Sequence, residues 1–228
     1  MQPSHYSRER EYWDERGAQD YVSLSPFDQE RISRWIGRVS PTESCLDIGG
    51  GSGMTARLVS AEERPFVVCM DISMEMLRHS PVSAVQGDAL RLPFCDASFD
   101  LIIAAAFLHH LPGRENQVVE ECARVLRPGG RIVGYDPSLK CLQNRIFMGD
   151  GPFRLKFFSP DERPVDPVAL AATLEAGGFR DVRNYPFSFR NQRITPFEAI
   201  QRWVLNPMSI GPLRPVFQRW FFWSAQRA

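Results

Sequence analysis

The residues best suited to chemistry are acids that follow apolar runs. The first, Asp47, stands at the start of a glycine-rich stretch, Cys45-Leu46-Asp47-Ile48-Gly49-Gly50-Gly51-Ser52-Gly53-Met54-Thr55-Ala56. Gly49, Gly51 and Gly53 fall at every second position and lead into an apolar, helix-compatible segment from Met54 to Val59. The pattern predicts a buried strand, a tight turn, and a helix whose first free N–H groups point back over the strand end. Glycine suits such a turn because it adopts backbone angles that a side chain forbids, and because a ligand can then lie against the main chain. The charge of Asp47 beside the turn repels a phosphate and holds an amine or hydroxyl, so the expected ligand is cationic or hydroxylated. Asp71 ends the run Phe66-Val67-Val68-Cys69-Met70, and Asp88 follows the short run Val82 to Gly87. A single acid at a strand end often only caps a helix. Three in order, after a glycine turn, mark the carboxyl edge of an open α/β sheet, where ligands bind.

Groups able to move a proton follow later. His109 and His110 come after the apolar run Phe99 to Ala106, and Asp136 closes the run Arg131 to Tyr135. If the chain stays extended through the two histidines, their side chains point in opposite directions, so no two-histidine chelate and no metal site is expected. A hydrogen-bonded structural histidine is the alternative for either position, and capping of the Pro137 turn is the alternative for Asp136. No Ser-His-Asp or catalytic-cysteine arrangement is visible.

The positioning elements can be read around these residues. Two helices are expected before the glycine turn, one from Ser7 to Tyr21 and one opening at Pro26, with Phe27, Ile32, Trp35, Ile36 and Val39 on its apolar face. Ser73 can cap a short helix that turns Met76 and Leu77 inward. Arg114 to Leu126 reads as an amphipathic helix, Arg127-Pro128-Gly129-Gly130 as a turn, and Asp166 to Gly177 as a further helix. Asp181 to Phe187 is a sixth strand, Pro196 to Leu205 looks helical, and Trp220 to Gln226 is a seventh strand near the sheet edge, a membrane-surface role being the competing reading. Nearly continuous apolar strands alternating with helices imply burial on both faces. The fold class expected is α/β: a doubly wound, mostly parallel seven-stranded sheet with helices on both faces.

Composition narrows the function. The 27 basic and 27 acidic residues balance, so the basic excess usual in nucleic-acid binders is absent. The five cysteines form no CxxC pair, which fits reduced thiols and a cytoplasmic location. Met1 to Asp20 is too polar for a signal peptide, and no run approaches the roughly 20 apolar residues that span a bilayer.

In order and spacing, LDIGGGSG at 46–53, MDIS at 70–73, GDALRLPF at 87–94, FDLIIAAAFLHHL at 99–111 and LRPGGRIV at 126–133 resemble the class I S-adenosylmethionine-dependent methyltransferases. The nearest likeness is to the small-molecule branch that includes quinone and lipid-precursor enzymes. The resemblance implies a Rossmann-like methyltransferase fold with S-adenosyl-L-methionine as cofactor. It implies that Gly49, Gly51 and Gly53 pass beneath the methionine portion and ribose, and that Asp47 holds the amino group directly or through water. Asp71 would accept from both ribose hydroxyls, and Asp88 would bond the adenine amino group, with Ala89 beside the ring. Ile72 and Met74 would flank the adenine, and main chain near Ala105 would meet the methionine end. Tyr12 and Tyr21 would fold over the cofactor from the N-terminal helix; simple packing is their alternative. Between the histidines, the resemblance favours His110 as a base.

The resemblance also implies one domain over 1–228: a helical lid at 1–40, a cofactor-binding core at 41–136, and an acceptor-side segment at 137–228. Aromatic residues in residues 1–40, 137–165 and 188–215, among them Trp13, Phe147, Phe153, Phe158 and Trp203, together with Phe187 just before the last of these, suit an apolar or aromatic small-molecule acceptor; they suit an ordinary core or a homodimer contact as well. Two other functions stay open. Gly51-Ser52-Gly53-Met54-Thr55-Ala56 also satisfies G-x-G-x-x-A, with Asp71 twenty residues after Gly51, as in a nicotinamide-dependent oxidoreductase. The third reading is a cofactor-binding but inactive partner subunit.

Overall fold

Apolar runs with burial on both faces set the sheet. The computed structural model describes residues 5–16, 24–63, 65–150, 152–155, 158–159, 161–189 and 214–228. In chain order the elements are α1 (His5–Arg16), α2 (Pro26–Ile36), β1 (Ser44–Ile48), α3 (Met54–Glu63), β2 (Phe66–Asp71), α4 (Met74–Leu77) and β3 (Ser83–Gln86). Then come β4 (Phe99–Ala105), a 3-10 turn (Leu108–His110), α5 (Glu115–Val125), β5 (Leu126–Pro137), α6 (Leu142–Phe147), α7 (Pro167–Ala176), β6 (Phe179–Phe187), α8 (Arg214–Phe217) and β7 (Trp220–Arg227). The sheet has seven strands in the order β3-β2-β1-β4-β5-β7-β6. The first five run parallel, and β7 is antiparallel to both β5 and β6. This is the doubly wound, mostly parallel fold expected from the sequence.

The two faces divide by residue parity. Leu46, Ile48, Val68, Met70, Ile102 and Ile132 face Val118, Cys122, Leu170 and Leu174 of α5 and α7. Cys45, Val67, Leu101, Ile103 and Val133 face Ile32, Ile36, Ala56 and Val59 of α2 and α3. Ser25 caps α2 by accepting from the Asp28 N–H, with Pro26 at its first turn. Ser73 and Asp166 cap α4 and α7 in the same way.

Several local readings change. The described part of the first helix ends at Arg16, and Tyr21 and the expected helix at 196–205 lie outside the described residues. The expected turn at 127–130 is a bulge inside β5: Leu126 pairs with Phe99 and Arg131 with Leu101, so four residues leave the ladder. The aromatic end at 220–227 is an interior strand rather than a membrane surface, with Phe221, Phe222 and Trp223 buried between β5 and β6. Phe187, expected near the acceptor, is fully buried and stacks on Phe222. Among the described residues no helix is long and apolar enough to cross a membrane.

Candidate active site

Strand order reverses between β1 and β4, and the carboxyl ends of those strands open the crevice in which a doubly wound sheet takes its ligand. Gly49, Gly51 and Gly53 turn the chain there with φ of +63°, +54° and +75°. At Gly49 the need is steric as well as torsional, since a Cβ would lie 2.1 Å from Cδ2 of Phe107. Phe107 therefore roofs the turn. Gly50 is constrained for a different reason: a Cβ there would meet Cys69 Sγ at 2.7 Å and Asp47 Oδ2 at 2.8 Å.

The three strand-end acids differ in what they hold. Asp47 is fully buried, and its Oδ2 accepts from the Ala56 N–H at 3.0 Å in the first turn of α3. Its Oδ1 is buried without a hydrogen-bond partner. Burial pushes its pKa up to about 7, against the Ala56 hydrogen bond. A buried acceptor of this kind fits an ammonium group, or a water that carries one. Asp71 accepts from the Gly51 N–H through Oδ2 and from the Ser73 N–H through Oδ1, each at 2.9 Å. Each oxygen keeps a lone pair, which fits a pair of hydroxyls. Burial raises its pKa, with the Ser73 and Gly51 N–H groups opposing. Asp88 turns its chain by accepting from the Leu90 N–H at 2.9 Å.

The flanking candidates are placed as follows. Met74 is exposed at the start of α4, and the Ile72 carbonyl accepts from Gln86 Nε2. Ala89 sits in the core, so its main chain rather than its methyl is available to a ligand. Ala105 packs on the α2–α3 face, and the next residue, Ala106, takes φ of +53° as β4 ends.

The chain after β4 does not stay extended. Residues 108–110 coil into a 3-10 turn, so the histidine rings converge, with centroids 4.1 Å apart. The expectation that they diverge is overturned because a 3-10 turn advances each side chain by about 120°. Nor does Asp136 reach open space or cap the Pro137 turn. It is fully buried; its Oδ1 lies 2.9 Å from His109 Nδ1 and 3.2 Å from the His109 backbone N–H, and its Oδ2 accepts from Trp223 Nε1 at 2.9 Å. When Asp136 is ionised both its oxygens only accept, so Nδ1 carries the proton and the Nε2 lone pair of His109 is left as the basic site. Burial, then the neighbouring His110, holds His109 well below the ordinary histidine range, so its ring is neutral. Burial also pushes Asp136 up to about 7, against the Trp223 and His109 hydrogen bonds.

Trp223 was legible only as a strand aromatic. The register puts it opposite Gly134, where a Cβ would lie 2.4 Å from the indole. The ring passes over the glycine and meets Asp136 two residues on, on the same face of β5.

His110 faces the N-terminal helix. Its Nδ1 is 3.2 Å from Glu9 Oε2 and 3.6 Å from Glu162 Oε1. Burial alone would lower His110; the Glu9 and Glu162 carboxylates outweigh it and raise its pKa. The two carboxylates thus favour the charged form of His110, whereas His109 keeps its free lone pair, so His109 replaces His110 as the better candidate base. Glu9 also accepts from Ser159 Oγ at 2.7 Å and Trp13 Nε1 at 3.3 Å. Asp14 accepts from Ser73 Oγ at 2.6 Å, and the Arg8 guanidinium grips Asp161. Helix α1 thus spans the carboxyl edge from Ser73 at the start of α4 to Ser159 and Asp161. Glu9, Trp13, Asp14, Phe107, Glu162 and Trp223 carry no local sequence signal for these roles.

The family described as "Methyltransferase domain" matches residues 46–134. A 27-O-demethylrifamycin SV methyltransferase of Amycolatopsis mediterranei is 32% identical over 134 residues, covering 53% of this chain and 47% of that protein. A demethylmenaquinone methyltransferase of Mycolicibacterium vanbaalenii is 29% identical over 175 residues, covering 67% of this chain and 75% of that protein. The chain spans about half the length of most of the curated relatives it matches. In fold it is similar to an S-adenosylmethionine-dependent methyltransferase from Archaeoglobus fulgidus, with TM-score 0.65, 24% identity, 88% of this chain and 93% of that one. It is also similar to phosphoethanolamine N-methyltransferase 2 of Haemonchus contortus in complex with S-adenosyl-L-methionine, with TM-score 0.71, 16% identity, 99% of this chain and 60% of that one.

Proposed function

We propose that this chain is a class I S-adenosylmethionine-dependent methyltransferase, as its likeness to that family supports, and that it moves a methyl group to an O, N or C atom of a small, mostly apolar or aromatic organic acceptor. The single observation that carries the reading is the joining of two half-sites at one sheet edge. A glycine turn with an orphaned buried acceptor, Asp47 Oδ1, lies at the end of β1, and a neutral histidine backed by a buried carboxylate lies at the end of β4 and β5. When bound, the sulfonium supplies an already activated methyl group. The protein's work is then to align the acceptor and, where the accepting atom carries a proton, to remove it.

Asp47 holds the amino group and Asp71 the ribose hydroxyls, with Asp88 and the Ala89 main chain at the adenine and Ile72 and Met74 along its faces. Gly49 to Gly53 give the methionine portion contact with the backbone, and the Ala105 main chain borders its far end. His109 Nε2 takes the acceptor's proton. Asp136 is a positioning residue: it fixes the Nδ1–H tautomer and stabilises the imidazolium that forms. Positioning of this kind can lower a barrier by about 7–11 kcal/mol, and a placed base adds about 10²–10⁴-fold. Residues 1–40 act as a lid over the 41–136 core, and 137–228 complete the acceptor side. Relatives named for 27-O-demethylrifamycin SV and demethylmenaquinone support an organic small-molecule acceptor.

The experiment is calorimetric titration with S-adenosylhomocysteine, with NADH as control, followed by an acceptor screen with labelled S-adenosylmethionine. Binding of S-adenosylhomocysteine with methyl transfer to an aromatic or quinone-like acceptor is expected. Binding of NADH alone would overturn the cofactor assignment, and cofactor binding with no turnover on any acceptor class would leave an inactive partner subunit instead.

A further inference from the structure

Four side chains of ligand type converge beneath α1 from well-separated stretches of chain: Glu9, the adjacent pair His109 and His110, and Glu162. One ligand atom from each of His109, His110 and Glu162 lies within 4.8 Å of the others, and all three side chains are largely buried. We propose that His109, His110 and Glu162, closed over by Glu9, bind a single divalent first-row transition-metal ion, with zinc the best matched.

The spacing is that of a ligand set. Bonds of about 2.1 Å in a tetrahedral site put ligand atoms about 3.4 Å apart. His110 Nδ1 stands 3.2 Å from Glu9 Oε2 and 3.6 Å from Glu162 Oε1, so these atoms already bracket that value. The same nitrogen is a buried atom with no hydrogen-bond partner. Glu9 is at ion-pair distance but off the direction an N–H would need, whereas a metal would take the lone pair itself.

His109 is oriented as metal-bound histidines are. Its Nδ1–H is committed to the Asp136 carboxylate, which fixes the tautomer, leaves Nε2 free to ligate and makes it more basic. Asp136 is in turn held by Trp223. Glu162 is brought to the turn by the chain itself, because the Arg163 N–H donates to the His109 carbonyl at 2.9 Å.

Charge argues in the same direction. The buried carboxyl groups of Glu9, Asp136 and Glu162 surround two imidazoles, a donor set that attracts a cation. Two imidazole nitrogens with carboxylate oxygens favour zinc or a neighbouring transition metal over magnesium or calcium, which prefer oxygen alone. The ion would sit on the acceptor side of the crevice, able to hold an acceptor oxygen. That role rests on the methyl-transfer reading; the site itself does not.

The test is titration of the chelator-treated full chain with Zn²⁺ by calorimetry, alongside ¹⁵N spectra of the histidine rings. One equivalent of zinc is expected, with the ring nitrogens of His109 and His110 both shifting in the unaltered protein. Glu162→Gln and His110→Ala should weaken zinc binding at least tenfold, and Asp136→Asn about 10–100-fold. A chain that binds S-adenosylhomocysteine yet leaves both imidazoles unmoved by zinc would overturn the proposal. So would zinc uptake that both Glu162→Gln and His110→Ala leave unchanged. Zinc uptake at these histidines without S-adenosylhomocysteine binding would uphold the metal site and sink the cofactor reading instead. An occupied site would also engage His109 Nε2, so the zinc-loaded and chelator-treated chains should differ in their pH–rate profiles.

Discussion

Asp47→Asn should make the empty protein more stable and the bound complex weaker. The carboxyl is fully buried, with one oxygen satisfied by the Ala56 N–H and the other without a partner. Burial lifts its pKa from 3.8 to about 7. A carboxyl raised in the folded state binds more protons folded than unfolded between those two values. Stability from this group is therefore complete below about pH 4, falls as pH rises through 7, and is flat above it. A shift of about three pH units corresponds to about 4 kcal/mol as an upper bound on the cost of burying the ionised form. Asparagine keeps the Ala56 hydrogen bond and removes the charge, leaving an unpaired N–H whose burial costs about 1–3 kcal/mol. The balance is a gain of about 1–3 kcal/mol at pH 8. At pH 4 the wild-type group is protonated, so the gain should vanish or reverse. Binding moves the other way: loss of a charge-assisted hydrogen bond, worth about 1.5–3 kcal/mol, weakens S-adenosylhomocysteine about ten- to a hundredfold. Urea unfolding at both pH values, with calorimetry at pH 8, measures both halves. Equal destabilisation at pH 4 and pH 8 would refute the desolvation argument, and unchanged affinity would remove Asp47 from the ligand.

Other residues give sharper separations between binding and chemistry. Asp71→Ala should weaken S-adenosylhomocysteine at least tenfold by calorimetry while unfolding stays cooperative, because two charge-assisted hydrogen bonds of about 1.5–3 kcal/mol each would be lost. Asp136→Asn should leave that affinity intact and lower kcat by about 10²–10⁴-fold on a hydroxyl acceptor. Asparagine has one oxygen for donors on two sides, Trp223 Nε1 on one and the His109 backbone N–H and Nδ1 on the other, and carries no charge to stabilise the imidazolium that forms. A normal kcat after Asp136→Asn would remove the dyad. Gly49→Ala should destabilise by about 1–3 kcal/mol in urea, since it combines φ of +63° with a clash against Phe107. Gly129→Ala, with φ of +78° but nothing near its Cβ, is the control and should cost less.

The half of the candidate site that was legible in the sequence is the half built from local geometry. Gly49 to Gly53 and Asp47 lie in one turn, and Asp71 and Asp88 each end an apolar run; strand and turn periodicity alone bring them to one edge. The sheet was readable for the same reason, since parallel strands buried on both faces leave long apolar runs such as Phe99 to Ala106. The acid–base half depends on contacts that no short window contains. His109 meets Asp136 across 27 positions, Trp223 meets Asp136 across 87, and Glu9 meets Ser159 across 150. Each requires a register or docking decision made by the whole fold: β7 pairing so that Trp223 stands over Gly134, and α1 lying across the strand ends. The pair His109-His110 shows how one local dihedral choice can reverse a functional reading. Extended, the rings diverge and a chelate is excluded; in the 3-10 turn that follows Phe107, they converge on Glu162. Phe107 ties the halves together, because its ring needs the missing side chain of Gly49 while its backbone carbonyl accepts from the His110 N–H at 3.1 Å. The glycine turn and the histidine turn are thus packed as one unit. A side chain at Gly49 would press on the segment that aims His109, so strain in the cofactor half should reach the base.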